Sequence, residues 1–154
     1  MTTTAPQFEN YDERVPEGLK KAHEKEGGLP GFLGIRIADY WPGGIRFEVQ
    51  VRDELLTPFG NLHGGVLSGL VDHALGTVCY PVIPRGAWAA TTEFKLNLLA
   101  PVSGGSLSAV AQIISLTKRT AVVRIEVSND DRLVCAGPER QQRNAPSSSG
   151  TDFE

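Results

Sequence analysis

The sequence predicts an α+β fold in which an antiparallel sheet of five to six strands wraps one long central helix. Three observations carry that prediction. Apolar and polar residues alternate through most of the stretch from Leu29 to Gly137, the pattern of strands with one buried face. One segment, Gly64 to Val82, breaks the alternation and runs at the helical period. The strand-like runs near the end of that stretch follow one another with only turn residues between them, as antiparallel strands do.

The first residues are weakly apolar and peripheral. Within them Pro16 to Glu26 suits a short helix, with proline in its first turn and Gly27-Gly28 as its stop. Its apolar face is only Leu19 and Ala22, so it must lean on something larger. Leu33, Ile35 and Ile37 then alternate with Gly34, Arg36 and Ala38, and Ile45, Phe47, Val49 and Val51 alternate with charged and polar neighbours. Pro42-Gly43-Gly44 between these runs is a turn signal, so the two read as a β-hairpin.

From Gly64 to Val82 apolar residues fall in adjacent pairs four apart: Val66/Leu67, Leu70/Val71, Ala74/Leu75 and Val78/Cys79. So broad a stripe implies a helix largely enclosed by the protein. Its other side carries Ser68, Gly69, Asp72, His73, Gly76 and Thr77. Beyond it, Thr92, Phe94, Leu96 and Leu98 alternate up to Pro101, Leu107 to Leu116 is apolar on both faces, and Ala121, Val123, Ile125 and Val127 alternate again. Asn129-Asp130-Asp131 turns the chain into Leu133-Val134-Cys135. Proline cannot donate to a sheet ladder, so Pro138 should end this last strand early or confine it to an edge. The expected organisation is an N-terminal extension over residues 1–28, one domain over 29–137, and a polar, disordered tail over 138–154.

The 154 residues suffice for one core and are too few for two full domains. A net charge of −3 with no basic stripe argues against a protein held to nucleic acid by its phosphates. No apolar run approaches the ~20 residues that span a bilayer, and Met1 to Arg14 lacks the basic flank and apolar stretch of a secretory signal. Cys79 and Cys135 fit no metal spacing and make no disulfide framework, which suits buried thiols in a reducing cytoplasm.

Two features carry chemistry. Asn61-Leu62-His63-Gly64-Gly65 stands at the entrance of the central helix, where the first amides have no internal partner and attract negative charge. The glycines leave room for a ligand, although close packing and a capping Asn61 would explain them equally. Asp72 lies mid-helix, where aspartate is a poor helix former, among residues expected to be enclosed. An enclosed carboxylate needs hydrogen bonds or a task. A solvated outer position is the alternative.

The ordered set from Asn61 to Asp72, then Thr91-Thr92-Glu93-Phe94-Lys95-Leu96-Asn97-Leu98-Leu99-Ala100-Pro101 and Gly105, resembles the hotdog-fold acyl-CoA thioesterases. Within them it is most similar to the phenylacetyl-CoA thioesterase (PaaI-like) branch of the 4-hydroxybenzoyl-CoA thioesterase superfamily. The resemblance covers Leu33 to Cys135, and its fold is a helix wrapped by an antiparallel sheet. It implies that the Gly64 N–H polarises the thioester carbonyl and that Asp72 activates water or attacks directly. It implies also that Asn61 and His63 orient the substrate or nucleophile, that Thr91 supplies a hydroxyl near the attacking water, and that Gly65 and Thr92 line the substrate site. Lys118 and Arg119 lie in a turn where the family has glycine and a basic residue, and would meet the phosphates of coenzyme A; the glycine is missing here. A solvated turn explains both equally. No metal is required, and no cofactor beyond the coenzyme A of the substrate.

Eight residues separate Gly64 from Asp72, about 12 Å along one helix, whereas a reacting carbon must lie within about 3 Å of both groups. Two antiparallel helices across a twofold axis would bring Gly64 of one chain to Asp72 of another. The expectation is an obligate homodimer with two shared sites, which the family often pairs into tetramers. A hotdog module that senses acyl-CoA without cleaving it, or a hotdog dehydratase, are the competing functions. Asp72 argues against a sensor, and the His63 to Asp72 spacing suits hydrolysis better than dehydration.

Overall fold

The structure, a computed structural model, describes residues 8–25 and 27–144. Seven antiparallel strands form one sheet: β1 Arg36–Trp41, β2 Gly44–Gln50, β3 Trp88–Phe94, β4 Asn97–Leu98, β5 Ser106–Leu116, β6 Thr120–Asn129 and β7 Arg132–Asn144. Their order is β1-β2-β5-β6-β7-β3, with the two-residue β4 also paired to β7. Three helices accompany them: α1 Arg14–Glu24, α2 Gly28–Leu33 and α3 Gly64–Thr77. The hairpin joining β1 to β2 turns at Gly43, whose φ of 75° is one that a side chain disfavours.

The core lies between α3 and the concave face of the sheet. Leu70, Val71, Ala74 and Leu75 of α3 are fully buried against Phe47 and Val49 of β2, Leu107 and Ile113 of β5, and Val123 and Val127 of β6. Each such side chain contributes roughly 1.5–3 kcal/mol by leaving water, so this stripe holds the helix against the sheet. Cys79 and Cys135 are buried in the same core.

Four boundaries differ from those expected, each for a physical reason. Leu33 and the residues before it form α2, closed by Gly34 at φ 71°, so β1 begins only at Arg36. The central helix ends at Thr77 rather than Val82 and is 14 residues long. Pro81 sets that limit, because in a continued helix its ring would strike the carbonyl four residues back, at Thr77. The chain instead turns through a short 3-10 segment, Tyr80–Val82, that keeps Val82 buried.

The run from Thr91 to Pro101 is broken into β3 and β4, and Thr92, Phe94 and Leu98 are exposed rather than inward-facing. The last strand does not stop at Pro138 but continues to Asn144, between β6 and β3. Pro138 falls opposite Arg124 of β6, and on its other side at the break between β3, which ends at Phe94↔Glu139, and β4, which begins at Asn97↔Ala136. A residue without an N–H is tolerated where the ladder is interrupted. The expected tail therefore begins later than residue 138, and its remainder, 145–154, lies outside the described residues.

Candidate active site

A tight loop delivers the entrance of α3. Leu56 bridges Leu62, the Thr57 N–H donates to the Asn61 carbonyl at 2.6 Å, and the Gly60 N–H returns to the Thr57 carbonyl at 2.9 Å. Gly60 sits at φ 78°, the left-handed conformation that this turn requires. Leu62 is buried and its N–H binds the Val102 carbonyl at 2.6 Å, which anchors the loop to the core.

The helix cap is His63, not Asn61. His63 Nδ1 accepts from the Gly65 N–H at 2.9 Å, so a neutral His63 carries its proton on Nε2. The Val66 N–H is taken by the His63 carbonyl at 2.9 Å. No acceptor among the described residues takes the Gly64 N–H, which leaves one oriented donor at the positive end of α3. Leu98 of β4 closes over this end: a Cβ on Gly64 would stand 3.1 Å from its Cδ1. Asn61 is exposed beside the cap.

Two turns along α3, Asp72 opens into a groove of about 420 Å³ lined by Ser68, Gly69, Asp72, Thr91, Thr92, Glu93 and Phe94. Asp72 is exposed in the single chain, contrary to the enclosure expected for it, and no side chain among the described residues holds its carboxylate. The reason is topological: β3 is the last strand of the sheet, every one of its residues is at least partly exposed, and α3 turns its small-residue face toward that open edge. Gly69 serves a second purpose there, since a Cβ would come within 3.1 Å of Leu33 Cδ1 where α2 rests on α3.

The structure thus joins Asp72 with Thr91 and Thr92, and separately joins Asn61, His63, Gly64 and Gly65 at the helix entrance. It does not bring Lys118 or Arg119 to either place. Both are exposed in the β5–β6 turn, which is pinned by the Thr117 and Thr120 hydroxyls at 2.8 Å and lies off the Trp88 end of β3 with β7 between. Glu93 and Phe94 line the groove although the alternation alone gave them no such place; the polar-then-aromatic pair at an edge strand is the only local sign. Trp41 is held near the end of β1, its Nε1–H donating to Gln112 Oε1 at 2.7 Å, while Trp88 is exposed on the edge strand.

His23 and His73, given no functional role from sequence, meet: their Nε2 atoms are 2.6 Å apart. His73 is held well below its ordinary value, at about 4, first by burial and then by the neighbouring charge of His23, with Asp72 opposing. A larger cavity of about 800 Å³, lined by Tyr11, Asp12, Arg14, Tyr80 and Arg85 among others, holds none of the motif residues. Among the described residues no three His, Cys, Asp or Glu side chains gather as metal ligands would, and no helix is long and apolar enough to cross a membrane.

Residues 59–136 match the family model of the thioesterase superfamily. A 1,4-dihydroxy-2-naphthoyl-CoA hydrolase of Listeria monocytogenes is 30% identical over 109 residues, covering 70% of this chain and 89% of that one. The PaaI protein of the E. coli phenylacetic acid degradation operon superposes with a TM-score of 0.75 at 25% identity, over 86% of this chain and 95% of that chain. A thioesterase from Haemophilus influenzae shares the fold with a TM-score of 0.76 at 22% identity, over 92% and 93% of the two chains. The family match and the relatives agree with the curled sheet around α3: the chain belongs to the thioesterase superfamily, with a hotdog fold, and is a thioester hydrolase.

Proposed function

We propose that the protein hydrolyses a small or medium acyl- or aryl-CoA to the free acid and coenzyme A, in sites shared by two chains of a homodimer. One observation carries the reading: the Gly64 N–H, without an acceptor among the described residues, and the Asp72 carboxylate, open to the groove beside the edge strand, sit on one helix about 12 Å apart. In this reading Asp72 of one chain takes a proton from water as the water oxygen bonds to the thioester carbon. The carbonyl oxygen gains negative charge against the Gly64 N–H of the other chain, a fixed donor worth about 3 kcal/mol. The C–S bond then breaks, and the thiolate leaves without strong protonation because a free thiol has a pKa of about 8.5.

The remaining groups support the same chemistry. Asn61 and His63 orient the substrate or nucleophile, Thr91 and Thr92 line the groove with Asp72, and Gly65 lines the thioester site from the helix entrance. Lys118 and Arg119 are free in solution to meet nucleotide phosphates. No metal or cofactor enters these steps, nor does nucleic acid or membrane. The relative from Listeria is named for an aryl-CoA, which favours an aryl or short acyl group here. Trp88 and Phe94 of β3, Leu98 of β4 and Leu99 just after it are exposed, an apolar edge that a second copy would cover. Further pairing into tetramers is compatible with it.

The test is thiol release from acetyl-, benzoyl- and palmitoyl-CoA by wild type and Asp72→Asn. Release by wild type alone supports the reading, binding without release at any chain length overturns it in favour of a sensor, and hydration of an enoyl-CoA overturns it in favour of a dehydratase. Single turnover in oxygen-18 water separates water activation, which labels the product acid, from direct attack by Asp72, which does not.

A further inference from the structure

We propose that His23 and His73 form a proton-sensitive clasp that fastens α1 to α3 and thereby positions Asp72. This rests on the thioesterase reading for its effect on catalysis, but not for the clasp itself.

The aim of Asp72 has to come from the backbone, since no side chain among the described residues holds its carboxylate. The next residue is the most tightly held polar group on that stretch of α3. The His73 ring stands edge-on to Phe47 of β2, centroids 5.3 Å apart, and edge-on to His23 of α1 at 4.8 Å. The His73 carbonyl accepts the Thr77 hydroxyl at 2.7 Å. A ring gripped from the sheet on one side and from α1 on the other resists rotation of α3 about its axis, and that rotation is what would swing Asp72 out of its groove.

The hydrogen positions follow from the partners. His23 Nδ1 lies 2.6 Å from the Leu19 carbonyl oxygen, which only accepts, so Nδ1 carries a proton. A neutral His23 then offers a lone pair at Nε2, and His73 Nε2–H donates to it across the 2.6 Å contact. Protonating His23 sets N–H against N–H unless His73 gives up its own Nε2 proton, and protonating both breaks the bond outright. The low value of His73 agrees with a pair that refuses the second proton.

Other charges do little to change this. Asp72 is the one carboxylate that acts on His73, and it opposes the depression. α2 brings no charged residue, Arg46 and Glu48 alternate away from Phe47 on β2, and Glu24 and Lys25 at the end of α1 are exposed.

The experiment compares wild type, His23→Leu and His23→Gln by amide hydrogen exchange and by thiol release from benzoyl-CoA, or whichever acyl-CoA of the panel is cleaved. Glutamine reaches about as far as the imidazole, and its amide oxygen accepts from His73 without titrating. On acidification from about pH 7 to below about 4, where His73 takes up its proton, wild type should lose exchange protection in Lys20–Glu24 and around Asp72, after correction for intrinsic rates. His23→Gln should keep it at both values, and His23→Leu should lack it at both. His23→Leu should lower kcat by about fivefold or more with KM unchanged, and His23→Gln should restore it to within about twofold. Exchange and kcat alike in wild type and His23→Leu would overturn the clasp, as would a Gln variant no better than Leu. If no acyl-CoA is cleaved by wild type, the thioesterase reading fails, while the exchange data still decide whether the clasp exists.

Discussion

Asp72 stands two turns of α3 beyond Gly64 and shares its groove with Thr91 of the edge strand rather than with the helix entrance. A carboxylate so placed is free of structural duty. Replacing Asp72 by Asn should leave the melting temperature within a few degrees of wild type, because the group is exposed and holds no partner among the described residues. Turnover should fall by roughly 10²–10⁴-fold with little change in KM, the loss expected for a general base. Steady-state kinetics on the acyl-CoA cleaved best by wild type checks it.

Gly64 occupies the first position of α3, where proline is well accepted, so Gly64→Pro removes the N–H while keeping the helix. A Cβ there meets the end of the Leu98 side chain at 3.1 Å, which can turn aside. Turnover should drop by about 10²-fold or more through loss of the oxyanion donor. Asp72→Ala and Gly64→Pro chains purified as a doubly tagged heterodimer should recover about half of wild-type activity, since one of two shared sites is then intact. Two dead parents giving a dead heterodimer would sink the shared site.

The exposed edge makes a separate prediction. Phe94 lines the groove with Asp72 and lies beside exposed Leu98 and Leu99. Phe94→Lys should convert the proposed dimer to monomer by light scattering, and activity should vanish with it rather than persist. A fully active monomer would contradict the shared site whatever the variant.

Periodicity reaches the parts of this molecule that are built from local patterns. The paired apolar residues of α3 and the alternation of β2 and β6 are legible because each residue's neighbour in sequence is also its neighbour in the element. Pro81 was there to be seen as the stop for α3, but Val78 and Cys79 carry the apolar stripe past Thr77 and mask it. β7 beyond Pro138 is illegible for another reason: its order comes from pairing with β6 and β3, tens of residues away, not from the composition of the segment. The site divides likewise. His63, Gly64 and Asp72 stand out by residue type and position on the helix, and Thr91 only through the family resemblance. The identity of the cap depends on the Gly60 turn, the exposure of Asp72 depends on β3 being an edge, and His23 reaches His73 across fifty residues.

That contact makes stability depend on pH in a defined direction. Folded His73 titrates at about 4, below its ordinary 6.5, because it is buried and faces His23. Between those values the unfolded chain takes up a proton that the folded chain refuses, so acid favours unfolding. The contribution of His73 is therefore fully present above pH 6.5 and is lost as pH falls from there toward 4. Asp12, held down to about 2 by its hydrogen bonds to Arg14, adds a loss of the same sign at lower pH, below its ordinary 3.8, and a small one because the pair is in solvent. Urea unfolding midpoints should thus decline from about pH 7 to about pH 5 in wild type. In His73→Gln, lower at neutral pH through lost packing on Phe47, the decline over that window should be clearly shallower. Equal slopes would mean that His73 titrates alike in both states, and that the contact with His23 shields nothing.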